Sequence, residues 1–94
     1  MSGETVEATL EVRNTLGLHA RAAARLVKVA SSFRARIELD KSGQRADAKS
    51  IMGVLLLCGE RGSKIVVRAT GEDAGPALDA LRALFEEGFG EGVA

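Results

Sequence analysis

The apolar residues of this chain change their spacing several times, and each change marks a predicted element. Over residues 5–13 every second residue is apolar, which is typical of a strand with one buried face. The alternation returns over 34–40, 45–48 and 64–70, and a short turn at 41–44 joins the middle two segments. We therefore predict four strands, of which the second and third form a hairpin.

Three other segments carry apolar residues at helical spacing. The first begins just after His19 and extends for about three turns. A short second helix has Ser50 as its N-cap and Gly59 at its end. The third has Pro76 in its first turn, where a missing N–H costs little. The glycine-rich residues 88–94 are predicted to be frayed.

The resulting order, β-α-β-β-α-β-α, contains no linker or repeat, so we predict one domain over residues 1–94. Each strand has one apolar face, and the apolar stripes of the three helices are able to cover that face from one side. The expected fold class is α/β of the α+β type. It is an open-faced β-sandwich whose four-stranded antiparallel sheet has its other face in water.

Composition excludes several classes of function. Thirteen basic and thirteen acidic side chains cancel, so no global field attracts the chain to nucleic acid or to an anionic membrane. Without Trp or Tyr, an RNA-binding sheet of similar element order is also disfavoured. One histidine and one cysteine do not make a zinc cluster, and no metal or cofactor is implied. No secretory leader or membrane-length apolar run occurs, so we expect a cytoplasmic protein.

His19 lies where a helix begins, directly after a glycine-containing turn. The first N–H groups of a helix have no intrahelical partner, and the positive end of the helix dipole favours an anion. Arg21 is placed to offer a guanidinium fork to a phosphoryl group there, with Arg25 as a weaker second candidate. Position alone does not decide, because a histidine at a helix start is more often a capping residue than a nucleophile.

Two motifs carry a resemblance to a known family. Residues 14–23, Asn-Thr-Leu-Gly-Leu-His-Ala-Arg-Ala-Ala, closely resemble the active-site segment of HPr, the phosphocarrier family of the bacterial phosphoenolpyruvate-dependent phosphotransferase system. Residues 49–54, Lys-Ser-Ile-Met-Gly-Val, resemble the segment that holds the regulatory serine of the family, at the expected distance from the histidine. With the matching element order, the resemblance covers almost the whole chain.

The resemblance implies that His19 accepts a phosphoryl group on Nδ1 from phosphorylated Enzyme I and passes it to an EIIA-type domain, while Arg21 helps to hold the phosphate. Such a protein is a carrier in sugar uptake or related regulation and not an enzyme. Ser50 corresponds to the site of an HPr kinase/phosphorylase. Roughly two added negative charges at Ser50 would alter a surface that acidic partners approach and lower carrier activity.

The family also has an exposed apolar patch for partner docking on its second helix. The corresponding residues are Ile51, Met52 and Leu55. A position in the core is the alternative, and we expect it for Val54 and for Cys58, a small hydrophobe without a disulfide partner. A basic stripe that would complement the patch against acidic partners consists of Arg21, Arg25 and Lys28. Docking on successive enzymes through one face favours a monomer.

Two positions depart from the family. Ala22 stands where most members have proline, so we expect a somewhat looser first turn that remains competent. Leu16 stands where sugar-system members often have a polar residue, and an Asn-x-Leu-Gly start also occurs in a nitrogen-related branch. A second hypothesis therefore stays open. In it the chain is a regulatory binding module in which phosphorylated Ser50 and the apolar patch engage a kinase or a transcription regulator, and His19 is dispensable.

Overall fold

The structure, a computed structural model, describes residues 4–92. Its elements are β1 Thr5–Glu11, α1 Ala20–Ser31, β2 Arg36–Lys41, β3 Gln44–Asp47, α2 Ile51–Leu56, β4 Lys64–Thr70 and α3 Ala74–Glu86. The predicted order of strands and helices is confirmed. Over residues 4–92, no helix combines the length and the apolar character needed to cross a bilayer.

The four strands form one antiparallel sheet in the order β1-β4-β2-β3. Leu10 pairs with Ile65 and Ile37 pairs with Ala69, and all four side chains are buried. The buried stripes of α1 and α3 complete this hydrophobic core from one side. The other face is polar, and there the Arg68 guanidinium contacts carboxylates on β1 and β2 at 2.9 and 2.7 Å. The predicted open-faced sandwich is therefore confirmed.

The end of α2 differs from the prediction. The helix stops at Leu56, and the chain turns at Cys58, whose φ of 52° lies in the left-handed region. This turn directs Leu57 into the core and leaves Cys58 exposed, so the expectation of a buried cysteine is wrong. Cys58, a residue other than glycine, thus takes the left-handed backbone conformation that the sequence suggested for Gly59.

The segment after α3 is ordered over residues 88–92, contrary to the frayed end that its glycines suggested. The Phe89 side chain is 0% exposed, and its ring lies 4.8 Å from that of Phe85. The backbone reverses at Gly88, where φ is 67° and a Cβ atom would collide with the Gly92 carbonyl oxygen. Here the glycines permit a tight return over the core. Residues 93 and 94 lie outside the described part of the chain.

Truncation of Phe89 tests this packing. Phe89→Ala removes a ring that is fully buried in the core, so we expect it to lower the free energy of unfolding by about 3–5 kcal/mol. Leu16→Ala is the control, since the Leu16 side chain is 70% exposed and its loss should change stability by at most about 0.5 kcal/mol. Urea denaturation of both variants gives the comparison. A Phe89→Ala midpoint equal to that of Leu16→Ala would mean that the segment does not pack.

Candidate functional site

The loop between β1 and α1 is fixed against the loop that precedes β4. The Leu18 amide donates to the Gly59 carbonyl at 2.7 Å, and the Gly62 amide donates to the Val12 carbonyl at 2.8 Å. Gly17 has a φ of 68°, and a Cβ atom there would lie 2.5 Å from the Gly59 oxygen. Only glycine allows this approach without a shift of the backbone. The loop therefore fixes the position of His19 at the start of α1.

His19 is the N-cap residue of α1. Its backbone is extended, and its carbonyl accepts from the Ala23 amide at 2.8 Å, the first hydrogen bond of the helix. Its side chain makes no capping hydrogen bond to the first turn. The imidazole, 29% exposed, points to another partner, so the amides that an N-cap side chain often satisfies remain directed at the space around the ring. This is the anion-attracting geometry that the sequence suggested.

The partner of the imidazole is Glu91, in the segment after α3. Glu91 Oε2 lies 2.5 Å from His19 Nε2. Glu91 Oε1 accepts a hydrogen bond of 2.8 Å from the side-chain amide of Asn14, which also donates to the Gly17 carbonyl at 2.8 Å. Asn14 is fully buried. Loop, carboxylate and histidine are thus joined in one continuous network.

This network sets the charge of Glu91. The Asn14 amide, which donates to the carboxylate, lowers the pKa of Glu91 below its usual value of 4.5, although partial burial acts in the opposite direction. The hydrogen bond with His19, the charge that His19 carries when protonated and the charge of Arg21 lower this pKa further. Glu91 is therefore ionised at neutral pH. An ionised carboxylate only accepts hydrogen bonds, so the proton of this contact belongs to His19 Nε2.

The three side chains of the predicted basic stripe, Arg21, Arg25 and Lys28, are exposed on α1. Arg21 is close enough to the site for its charge to act on Glu91. Arg25 Nη1 donates to the Phe89 carbonyl at 2.9 Å. Arg25 therefore holds the C-terminal segment against α1, a structural contact that its position in the sequence did not suggest.

Ser50 is the N-cap of α2, as predicted, and its Oγ accepts from the Gly53 amide at 3.2 Å. Of the predicted apolar patch, Ile51 and Met52 are exposed, Met52 to 63%. Leu55 is half-buried and packs against the core, whereas Leu56, which was not assigned to the patch, is exposed. The exposed apolar side chains of α2 are therefore Ile51, Met52 and Leu56, and a docking role for the half-buried Leu55 stays a prediction.

Sequence reasoning missed two residues of the site. Asn14 was part of the recognised motif but received no role, and Glu91 lay in the segment expected to be frayed. The sequence does contain one signal that the segment around Glu91 is packed. Phe89 is a large apolar residue between two glycines, a pattern that suits a packed turn better than a solvated tail.

Comparison with known proteins places these features in a family. A family model described as "PTS HPr component phosphorylation site" matches residues 6–87. The phosphocarrier protein HPr of Xylella fastidiosa (strain Temecula1) is 49% identical over 86 residues, which are 92% of this chain and 97% of the relative. The phosphocarrier protein NPr of Escherichia coli K12 is 41% identical over 88 residues, covering 93% of this chain and 98% of the relative.

Solved structures are similar over the same range. The crystal structure of an HPr from Thermoanaerobacter tengcongensis superposes with a TM-score of 0.90 at 41% identity, covering 94% of this chain and 99% of that one. Crh, the catabolite repression protein of Bacillus subtilis, superposes with a TM-score of 0.72 at 40% identity, over 88% of this chain and 95% of that one. Crh is described as a domain-swapped dimer.

The charge of Glu91 predicts a pH dependence of stability. Because its pKa in the folded protein lies below the value of 4.5, ionised Glu91 stabilises the fold above that pH, and this contribution disappears as the pH falls through the folded pKa. Glu91→Gln should therefore be less stable than the wild type at pH 7, and the difference should shrink below about pH 4.5. Urea midpoints measured between pH 7 and 3 test this.

The matched control is Glu87→Gln, which removes the same charge from an exposed position at the end of α3. Its difference from the wild type should stay small across the range. A Glu91→Gln difference that is constant with pH would contradict the hydrogen-bonded, ionised carboxylate.

Proposed function

The chain belongs to the HPr family of phosphocarrier proteins, and on that premise we propose that His19 is the residue that carries the phosphoryl group. As a phosphocarrier of the phosphotransferase system, the protein is not an enzyme, because its chemistry is completed by the proteins on either side of it. One observation supports His19 above all. It is the N-cap of α1, yet its ring leaves the amides of the first turn directed at the surrounding space.

In the proposed transfer, the lone pair of His19 Nδ1 attacks phosphorus, and the N–P bond forms while the bond to the donor breaks and its electron pair returns to the donor. The oxygens of the transferred group need positive partners. The amides of the first turn and the dipole of α1 supply them, and the guanidinium of Arg21, the second residue of the helix, adds a charged fork. The reverse path releases the group to an acceptor.

We propose phosphorylated Enzyme I as the donor and an EIIA-type domain as the acceptor, in the cytoplasm. Both would dock on the surface formed by α2 and the exposed side of α1. Its apolar part is Ile51, Met52 and Leu56, and its basic part includes Arg21 and Lys28. Apolar contact with basic surroundings suits an acidic partner that binds briefly and leaves. We propose a monomer as the working form, and a swapped dimer, as described for Crh, is the alternative.

A second candidate function centres on Ser50, through an HPr kinase/phosphorylase and a transcription regulator. It is favoured by the location of Ser50 at the N-terminus of α2, directly beside the exposed Ile51 and Met52. A phosphoserine there adds roughly two negative charges next to the apolar surface. Those charges would repel acidic carrier partners and offer a new anchor to a regulator. Similarity to NPr and to Crh is compatible with this regulatory reading as well as with the carrier.

Labelling tests the proposed acceptor. Incubated with phosphoenolpyruvate and Enzyme I of its own organism, the wild type should gain one acid-labile phosphoryl group, and His19→Ala should gain none. Intact mass before and after acid treatment measures both. Ser50→Ala is the control: it should label like the wild type, although loss of its cap costs about 1 kcal/mol of stability. A folded wild type that remains unlabelled would favour the Ser50-centred module.

Substitution on α2 tests the docking surface. Met52→Glu places an acidic group among exposed apolar side chains, so it should raise the KM of Enzyme I for the carrier about tenfold while kcat changes little. Thr9→Glu adds the same charge on the open face of the sheet and should leave KM unchanged. Steady-state transfer kinetics give both values. Equal KM values for the two variants would place the docking surface elsewhere.

A further inference from the structure

Glu91 lies beyond residues 6–87, the range that matches the family model, and its carboxylate contacts the ring of His19. We infer that Glu91 is a positioning residue for phosphoryl acceptance: it holds the proton of His19 on Nε2, so that Nδ1 keeps a free lone pair for attack on phosphorus. This inference deepens the proposed function and rests on it. It gives the C-terminal segment of this chain a part in the chemistry.

The carboxylate is held at both oxygens. Oε2 contacts His19 Nε2 at 2.5 Å, and Oε1 accepts from Asn14 Nδ2 at 2.8 Å. Asn14 is in turn fixed by its second hydrogen bond, to the Gly17 carbonyl. The buried Phe89 and the contact of Arg25 with the Phe89 carbonyl hold the backbone two residues away. Glu91, with a side chain only 16% exposed, is therefore a fixed partner and not a passing contact.

The contact selects one tautomer. A neutral imidazole carries one N–H and one lone pair, and a carboxylate offers no proton in return. The nitrogen that faces Glu91 must be the N–H, so the lone pair lies on Nδ1. Carboxylates orient histidines in this way in serine hydrolases and at metal sites. Without a partner, the ring would divide its population between the two tautomers, and only part of it would be ready to react.

The same contact acts during transfer. When Nδ1 bonds to phosphorus, the ring becomes positively charged and Nε2 retains its proton. The Glu91 carboxylate offsets that charge from the Nε2 side, while the phosphoryl group forms on the opposite nitrogen. The ring thus separates the carboxylate from the anionic phosphoryl group, and the positive charge of Arg21 acts on Glu91 as well.

Glu91→Gln distinguishes this role from a merely structural one. Asn14 Nδ2 is a donor, and its orientation is fixed by Gly17, so the carbonyl oxygen of the new side chain must face Asn14. The amide NH₂ then faces His19 Nε2 and donates to it. Nε2 becomes the acceptor, and the ring proton is moved to Nδ1. Glu91→Ala leaves neither an acceptor nor a donor beside Nε2, so both tautomers of the ring are populated.

Nitrogen-15 NMR of the His19 ring in the unphosphorylated protein measures this directly. In the wild type, Nε2 should have the chemical shift of a protonated nitrogen and Nδ1 that of an unprotonated one. In Glu91→Gln the two assignments should exchange, and in Glu91→Ala both shifts should be intermediate. Glu87→Gln, which removes a carboxylate from the exposed end of α3, should match the wild type.

Phosphoryl acceptance from Enzyme I should follow the same order. We expect kcat/KM for Glu91→Gln to fall about tenfold or more, and Glu91→Ala to lie between that variant and the wild type. If Glu91 only kept the C-terminal segment in place, Glu91→Gln would not have a lower kcat/KM than Glu91→Ala. A wild-type ring with its proton on Nδ1, or a Glu91→Gln protein that accepts at the wild-type rate, overturns the inference while labelled His19 still supports the carrier. Failure of the wild type to label at all overturns the proposed function instead.

Discussion

The first turn of α1 leaves its backbone N–H groups without helical partners, and the arrangement of the site depends on how those groups are used. An ordinary N-cap side chain satisfies one of them and closes the helix end. His19 occupies the cap position but directs its ring to Glu91. The helix end therefore keeps its unsatisfied donors and its positive dipole, and an imidazole ring lies beside them. The incomplete cap thus leaves a position that favours an anion directly beside a histidine.

Leaving the cap incomplete requires that other parts of the chain hold the ring, and two distant segments do so. The loop before α1 is fixed by the close approach of Gly17 to Gly59, and it presents the buried Asn14. The segment after α3 turns back at Gly88 and presents Glu91. Asn14 and Glu91 are 77 residues apart in sequence, and their hydrogen bond joins the two segments at the histidine. The stability of the C-terminal turn and the geometry of the proposed phosphoryl acceptor are thus linked.

Much of the fold was predictable because strand and helix periods report burial directly. The alternation over β1, β2 and β4 and the stripes of α1 and α3 gave the correct layers. The placement of His19 and Ser50 at helix starts was predictable for the same reason. The errors fall where burial depends on a single backbone angle or on tertiary packing. Cys58 turns outward through a positive φ, and near the end of so short a helix Leu55 is half-buried whereas Leu56, which was not expected at the surface, faces water.

Residues 88–92 show why the remainder of the site was not predictable from local pattern. Glycine gives the same compositional signal in a frayed end and in a turn that needs positive φ, and only the packing of Phe89 separates the two. Once Phe89 is buried, Glu91 has little choice of position, and its carboxylate must find partners in a half-buried setting. Asn14 and His19 supply them. The carboxylate thus reaches the ring through the hydrophobic anchoring of a neighbour, a long-range effect that no spacing rule within the segment contains.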